Sequence, residues 1–291
     1  MKRDLTGKII LITGASSGIG RALAEATAQV GMRVAIAARS ADSITELAER
    51  LNRAGGTVLA IPADVTKPAD RQRLLAAVVE RYGGLDILLN NAGIGTQGHF
   101  AYSSEEILRR IMETNFFAPS ELIRLAIPIL EKGRQPAIVN VTSMCGRRAM
   151  PAWPEYSASK HAIIGLSEAL RAELVRYGID VLVVVPGLTN TNLDKHLLRQ
   201  DGRMVIDYRK GMKPERVAQN ILTIMRRNQS ETVLGREARA VLWTNRLWPR
   251  LVDYLLARFV RRLYARLAAQ EARQKELVDA AVTSPPPPDG D

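Results

Sequence analysis

Six short apolar runs, each pair separated by a stretch long enough for a helix, constrain this chain more than any other feature. They are IILIT (9–13), RVAIAA (33–38), TVLAI (57–61), LDILLN (85–90), AIVNVT (137–142) and IDVLVVV (179–185). The runs are continuously apolar rather than alternating, the pattern of strands buried on both faces. Between the second and third lies SITELAERLNRAG, whose Ile44, Leu47 and Leu51 recur at helical spacing. Strands alternating with helices imply right-handed crossovers and an α/β fold built on a doubly wound parallel sheet. A further helix, PERVAQNILTIMRRN, follows a loop over 188–213, and ETVLG (231–235) adds a last strand.

The sheet-bearing domain therefore covers 1–235, followed by a basic helical extension (236–278) and a disordered Pro-rich tail (279–291). One cysteine, Cys145, excludes an internal disulfide and suits a reducing, cytoplasmic compartment. His99, His161 and His196 lie far apart with no Cys/His spacing, so no metal site is expected. Lys2 and Arg3 precede an apolar run of only four residues, Ile9 to Ile12, too short for a signal peptide. No uncharged apolar run approaches the ~18 residues of a membrane-spanning helix.

The net charge is +11, and between Arg236 and Glu276 ten basic residues face four acidic ones. Within 241–277 the positions Val252, Leu256, Phe259, Leu263 and Leu267 form one helical stripe, with Arg250, Arg258, Arg261 and Arg262 mainly outside it. Trp243 and Trp248 precede the stripe. An arginine-rich amphipathic helix of this kind suits an anionic membrane surface, or else packs on its own domain or another subunit. No nucleic-acid reader motif is present, so nucleic acid is not an expected partner.

The first strand runs into TGASSGIG (13–20) and then helix. Gly14, Gly18 and Gly20 allow a tight turn that brings the backbone close to a pyrophosphate at the helix N-terminus. Gly14 to Gly18 also satisfies the G-x-S-x-G nucleophile elbow of hydrolases, but no earlier strand is there to supply the oxyanion N–H. After the second strand, Ala38 stands where an NAD site places an acid, followed by Arg39 and Ser40. A guanidinium and a hydroxyl suit a 2′-phosphate, so NADP(H) is expected over NAD(H).

YSASK (156–160) puts Tyr156 one helical turn before Lys160. A free tyrosine has a pKa near ~10 and is a poor base at neutral pH. An ammonium at ~4 Å interacts by about 1–4 kcal/mol, which would bring tyrosinate within reach of working pH. Ser143 ends the fifth strand at the carboxyl edge, where its hydroxyl can bond a substrate oxygen. Cys145 is expected to be a structural cysteine, since no base is suggested beside it.

TGASSGIG (13–20), NNAG (90–93), Asn115, Ser143, YSASK (156–160) and PG (186–187) stand in this order. As a set they resemble the short-chain dehydrogenase/reductase family over about residues 5–235. The resemblance implies a Rossmann-type single domain that exchanges hydride between NAD(P) and an alcohol or carbonyl. It places Gly14, Ser16, Ser17, Gly18, Ile19 and Gly20 at the pyrophosphate and Arg39 and Ser40 at the ribose phosphate. It puts Asp64 and Val65 beside the adenine, and Asn91, Ala92 and Gly93 on the cofactor floor. Pro186, Gly187 and Thr191 border the nicotinamide, and Lys160 holds its ribose. Asn115, Ser143, Tyr156 and Lys160 form the catalytic set, with Asn115 positioning a water in a relay to the lysine.

A homo-oligomer is implied by the same resemblance. The expected substrate is a hydrophobic, lipid-like carbonyl or alcohol, received under a mobile lid at 192–212. A 3-oxoacyl (acyl-carrier-protein) reductase is the enzymatic alternative, and an NADP-binding interaction protein at a membrane surface the non-enzymatic one.

Overall fold

The computed structural model describes residues 2–191, 197–202, 204 and 206–283, and only the backbone from 267 onward. It divides into two compact units, the first ending at Leu242 and the second beginning at Trp243.

In the first unit the apolar runs become strands β1 (Ile9–Thr13), β2 (Arg33–Ala38), β3 (Thr57–Pro62) and β4 (Ile87–Asn90). Two short strands, β5 (Gly95–Gln97) and β8 (Leu197–Gln200), form a separate pair. The main sheet continues with β6 (Ala137–Val141), β7 (Asp180–Pro186) and β9 (Glu231–Leu234). Its order is β3-β2-β1-β4-β6-β7-β9, with every pairing parallel.

Successive side chains of a strand point to opposite faces, and β1 divides its residues accordingly. Ile10 and Ile12 enter the layer beneath α1 (Gly18–Gln29), α2 (Ala41–Arg53) and α7 (Pro214–Arg227), with Leu23, Leu47 and Ile221. Ile9 and Leu11 enter the opposite layer beneath α3 (Pro68–Tyr82) and α5 (Ala118–Leu130), with Leu74 and Leu122. Both faces of β1 are therefore dry, which is why its sequence shows no polar alternation. The same α2 positions that recur at helical spacing, Ile44, Leu47 and Leu51, are buried.

The segment expected to be loop over 188–213 contains β8, which pairs with β5 in parallel and with a shift of register. Strands of three and four residues with interrupted register carry no readable period, so the sequence could not announce them. Of the expected lid, residues 192–196, 203 and 205 lie outside the described residues. Two further helices close the chain, α8 (Arg236–Leu247) and α9 (Pro249–Thr283). The backbone of α9 thus runs past the boundary placed at 279, and the Pro-rich residues 284–291 lie outside the described residues.

The amino edge of the sheet is tied by one buried carboxylate. Asp86 accepts the N–H groups of Ile9 (2.8 Å) and Arg134 (2.6 Å), and the Arg134 guanidinium lies 3.5 Å away. Removing an acceptor that serves two N–H groups leaves them unsatisfied, at about 1–3 kcal/mol each. Asp86→Ala is expected to lower the unfolding free energy by about 2–4 kcal/mol while sparing cofactor affinity, because the carboxyl edge is at the other end of the strands. Urea unfolding with a parallel cofactor titration checks this; an unchanged midpoint would remove Asp86 from the account.

Candidate active site

β1 and β4 are neighbours, but the chain leaves them in opposite directions across the sheet, opening a crevice at their carboxyl ends. Thr13 and Asn91 bridge that crevice. Thr13 Oγ1 accepts the N–H groups of Asn91 and Ala92, each at 3.1 Å. Asn91 Nδ2 donates to the carbonyls of Thr13 and Gly14, each at 3.1 Å. Gly14 has φ +69°, and a Cβ there would come within 2.7 Å of Ala92 Cα. A Cβ on Gly20 would collide with the Gly14 carbonyl oxygen. Both positions therefore demand glycine if the turn is to keep this course. Ser17 is the N-cap of α1 and makes no side-chain hydrogen bond to it, so first-turn N–H groups remain for an anion.

From this turn a cleft of about 670 Å³ extends in both directions. At one end its wall is formed by Arg39, Ser40, Asp64 and Val65. Asp64 is fixed there by accepting from Thr66 N (3.0 Å) and Thr66 Oγ1 (2.7 Å). The middle is made by Gly14, Ser16, Ser17, Gly18 and Ile19 from the turn, facing Asn91, Ala92 and Gly93. Tyr156, Lys160 and Thr191 form the far end. Residues named from sequence motifs more than a hundred positions apart thus share one wall.

Five of the named residues are not part of that wall. Gly20 lies behind the turn, and Gly187 ends β7 by donating its N–H to Leu234 O at 2.9 Å, directly after Pro186. Asn115 is buried in a π-helical turn, Glu113–Phe117, between α4 (Glu105–Met112) and α5. Its Oδ1 accepts from Ile94 N (2.9 Å), and its Nδ2 donates to Ile94 O (2.9 Å) and Ser159 Oγ (3.0 Å). Ser159 Oγ in turn donates to Tyr156 O at 2.8 Å. The widened turn aims Asn115 inward, where its carboxamide clamps the NNAG segment to the helix bearing Tyr156. Ser143 is also absent from the wall; its Oγ accepts Cys145 N at 3.2 Å, and it lies near enough to the Tyr156 phenol to oppose the effect of burial.

α6 (Pro154–Glu173) begins with proline in its first turn and presents Tyr156 and Lys160 one turn apart, both buried. Trp153 packs edge-on against the Tyr156 ring at 5.5 Å. Lys160 Nζ donates to Val141 O at 3.4 Å and lies 5.7 Å from the centre of the Tyr156 ring. Burial pushes the Tyr156 phenol well above its ordinary value, the neighbouring Cys145 adds to this, and the nearby Ser143 hydroxyl works against it. Burial also pushes Lys160 down to about 8, against an opposing influence of Cys145. The expected depression of the tyrosine by its lysine is not what this structure shows: desolvation of the phenolate sets the direction, and the phenol is raised. Cys145 is half-buried, with its thiol pushed up by burial and lying against the hydroxyls of Ser143 and Ser157.

Several wall residues carried no motif. Ile94, Val141 and Thr142 flank motif residues directly and could have been found by adjacency, as could Thr66 after ADV. Arg110, Glu113 and Thr114 reach the cleft from α4 and the π turn, and Leu197 and Leu198 from β8. Only the tertiary course of the chain brings these to the site.

The model of the short chain dehydrogenase family matches residues 8–202. A curated relative, dehydrogenase/reductase SDR family member 7B of Bos taurus, is 33% identical over 245 residues, covering 81% of this chain and 75% of the relative. Among solved structures, a short chain dehydrogenase/reductase of Burkholderia phymatum in complex with NAD superimposes with a TM-score of 0.79. It is 25% identical and covers 86% of this chain and 96% of that one. A 3-ketoacyl-(acyl-carrier-protein) reductase of Brucella melitensis complexed with NADH gives a TM-score of 0.71 at 28% identity, covering 80% and 99%. Seven parallel strands, a glycine turn at their crossing point and a match across two-thirds of the sequence agree: this chain belongs to the short-chain dehydrogenase/reductase family of oxidoreductases.

Proposed function

We propose that the protein is an NADP(H)-dependent oxidoreductase that interconverts a carbonyl and an alcohol on a hydrophobic, lipid-like substrate. The observation that carries this reading is the pair of buried side chains Tyr156 and Lys160, with Nζ 5.7 Å from the phenol ring centre, lining a dinucleotide-sized cleft.

The residues present fit a nicotinamide dinucleotide. Gly14 and Gly20 leave a cradle that any Cβ would fill, and the uncapped start of α1 offers N–H groups to a pyrophosphate. Arg39 and Ser40, both exposed at the end away from Tyr156, supply a cation and a hydroxyl where a 2′-phosphate would need them. The bound nicotinamide would supply or accept the hydride.

The protein's own groups then handle the proton. In reduction, Ser143 Oγ–H bonds the substrate oxygen and polarises the carbonyl, and Tyr156 donates its phenolic proton to that oxygen. A phenol held above its ordinary pKa is protonated and ready as an acid at neutral pH. Lys160 supplies the nearby positive charge that stabilises the tyrosinate left behind, and Asn115 holds Ile94 and the Tyr156 helix in register. Oxidation runs the same transfers backwards and demands tyrosinate first.

Ile94, Val141, Leu197 and Leu198 give the wall near these groups an apolar lining, which supports a hydrophobic substrate. Such a substrate partitions into lipid, and the basic segment 241–277 supports a protein working in the cytoplasm beside an anionic membrane surface. We also infer a homo-oligomer, for which exposed Phe117 offers an apolar contact. A 3-oxoacyl reductase is the second reading, supported by the Brucella neighbour and by a surface basic enough for an acidic carrier protein.

Tyr156→Phe is expected to lower kcat about 10²–10⁴-fold while leaving the NADPH dissociation constant within a few-fold. A panel of NADPH-coupled assays with long-chain and polycyclic ketones, and with 3-oxoacyl carrier substrates, measures this; retained turnover would end the assigned role. Because Lys160 loses its proton near pH 8 and Tyr156 only well above that, kcat/KM for reduction should fall as pH rises through about 8. A profile that stays flat well above pH 8 would contradict this. Arg39→Asp should shift the NADPH-to-NADH ratio of kcat/KM towards NADH by about 10–100-fold, the worth of a charge-assisted hydrogen bond. A wild-type enzyme favouring NADH would overturn the cofactor assignment.

A further inference from the structure

The second unit carries a surface that the redox chemistry does not use. Trp243, Trp248, Leu251, Tyr254, Leu255 and Phe259 are each between 45% and 62% exposed. At about 100° per residue, Leu251, Tyr254, Leu255, Arg258 and Arg262 fall on one side of α9. Val252 is buried, and Leu256 and Leu263 are half-buried. The stripe that the sequence singles out is therefore mostly covered, with Phe259 as its exposed member and Leu267 outside the described side chains. Two apolar faces coexist on this helix, and the one left open is the second.

The open face is strongly basic. Residues 243–266 contain six arginines against a single acid, Asp253. Among the described residues, Arg250, Arg258, Arg261 and Arg262 make no ion pair. Arg258 Nη1 donates to the Tyr254 hydroxyl at 3.2 Å, and the Arg246 guanidinium lies 6.0 Å from the Trp243 ring centre. Exposed large apolar side chains gathered on one segment mark an interaction site. Its occupant must offer hydrocarbon and negative charge in the same plane.

We propose that residues 243–266 lie flat on an anionic lipid surface, with the leucines and aromatic rings at the acyl boundary and the arginines among the headgroups. Tryptophan and tyrosine favour that depth, and guanidinium groups bond lipid phosphates in pairs. A second copy of the chain is a poor occupant, since it would set six arginines against six with one acid on each side. No helix among the described residues is long and apolar enough to cross a membrane, so the segment lies on the bilayer. The proposal does not depend on the redox reading.

The test is flotation of the full chain with phosphatidylcholine vesicles made with and without phosphatidylglycerol, at low and high salt, with NADPH binding measured in parallel. Wild type should float at least about tenfold more with the anionic vesicles, and high salt should weaken this. Leu251→Glu/Leu255→Glu, at exposed positions, should lose about tenfold or more of that flotation while binding NADPH as wild type does. Arg258→Gln/Arg262→Gln should lose the preference for phosphatidylglycerol. Equal flotation with neutral vesicles, or wild-type flotation by the Leu251/Leu255 variant, would overturn the proposal. So would wild type staying unbound while light scattering shows an oligomer that the variant lacks, which assigns the face to a second copy.

Discussion

The hydrogen bonds between Thr13 and the Asn91–Ala92 segment are the constraint on which the rest depends. Parallel strands whose continuations leave in opposite directions tend to splay, and a splayed crossing point would have no fixed floor. Thr13 and Asn91 close it with side chains, so that the glycine turn and the NNAG segment meet at van der Waals distance. Both layers of the hydrophobic core hold β1 from either face. The turn is thus anchored to a strand buried along its whole length, and a cofactor would meet backbone already in place.

The corner that holds Tyr156 and Lys160 sets two electrostatic effects against each other. Proximity of Lys160 favours the ionised tyrosine, while burial of both groups disfavours every charged form. In the structure burial prevails for each, raising the phenol and lowering the ammonium. Tyr156 therefore keeps its proton at neutral pH, the form that the proposed function needs for reduction. The Val141 carbonyl, which accepts from Lys160, keeps the ammonium in position without neutralising it.

Much of this was legible in the sequence because it depends on local rules. The strand runs 9–13 and 33–38 agree with β1 and β2 residue for residue, since strands buried on both faces read as nearly unbroken apolar runs. The glycine spacing and the Tyr-Lys pair were equally readable, because each is fixed by backbone geometry within one turn. What was not legible depends on long-range placement. Leu197 and Leu198 reach the cleft only because β8 finds β5, a hundred residues away. The net sign of the Tyr156 perturbation required knowing its burial, and helical spacing alone gave only the attractive half. On α9 the periodicity was real but double, and the sequence could not say which face would be covered.

The β5–β8 pair has a consequence for how such an enzyme can change over time. Its strands pair through backbone, and beside them Asp201 N and Gly202 N donate to Gln97 O, with side-chain bonds from Gln97 to Met204 O and from Arg199 to His99 O. Main-chain bonds are indifferent to which side chains the residues carry. Leu197 and Leu198 can therefore be exchanged for other residues while the roof they belong to stays where it is. On the proposed function, such exchanges would reshape the cleft wall while leaving Tyr156 and Lys160 as they are.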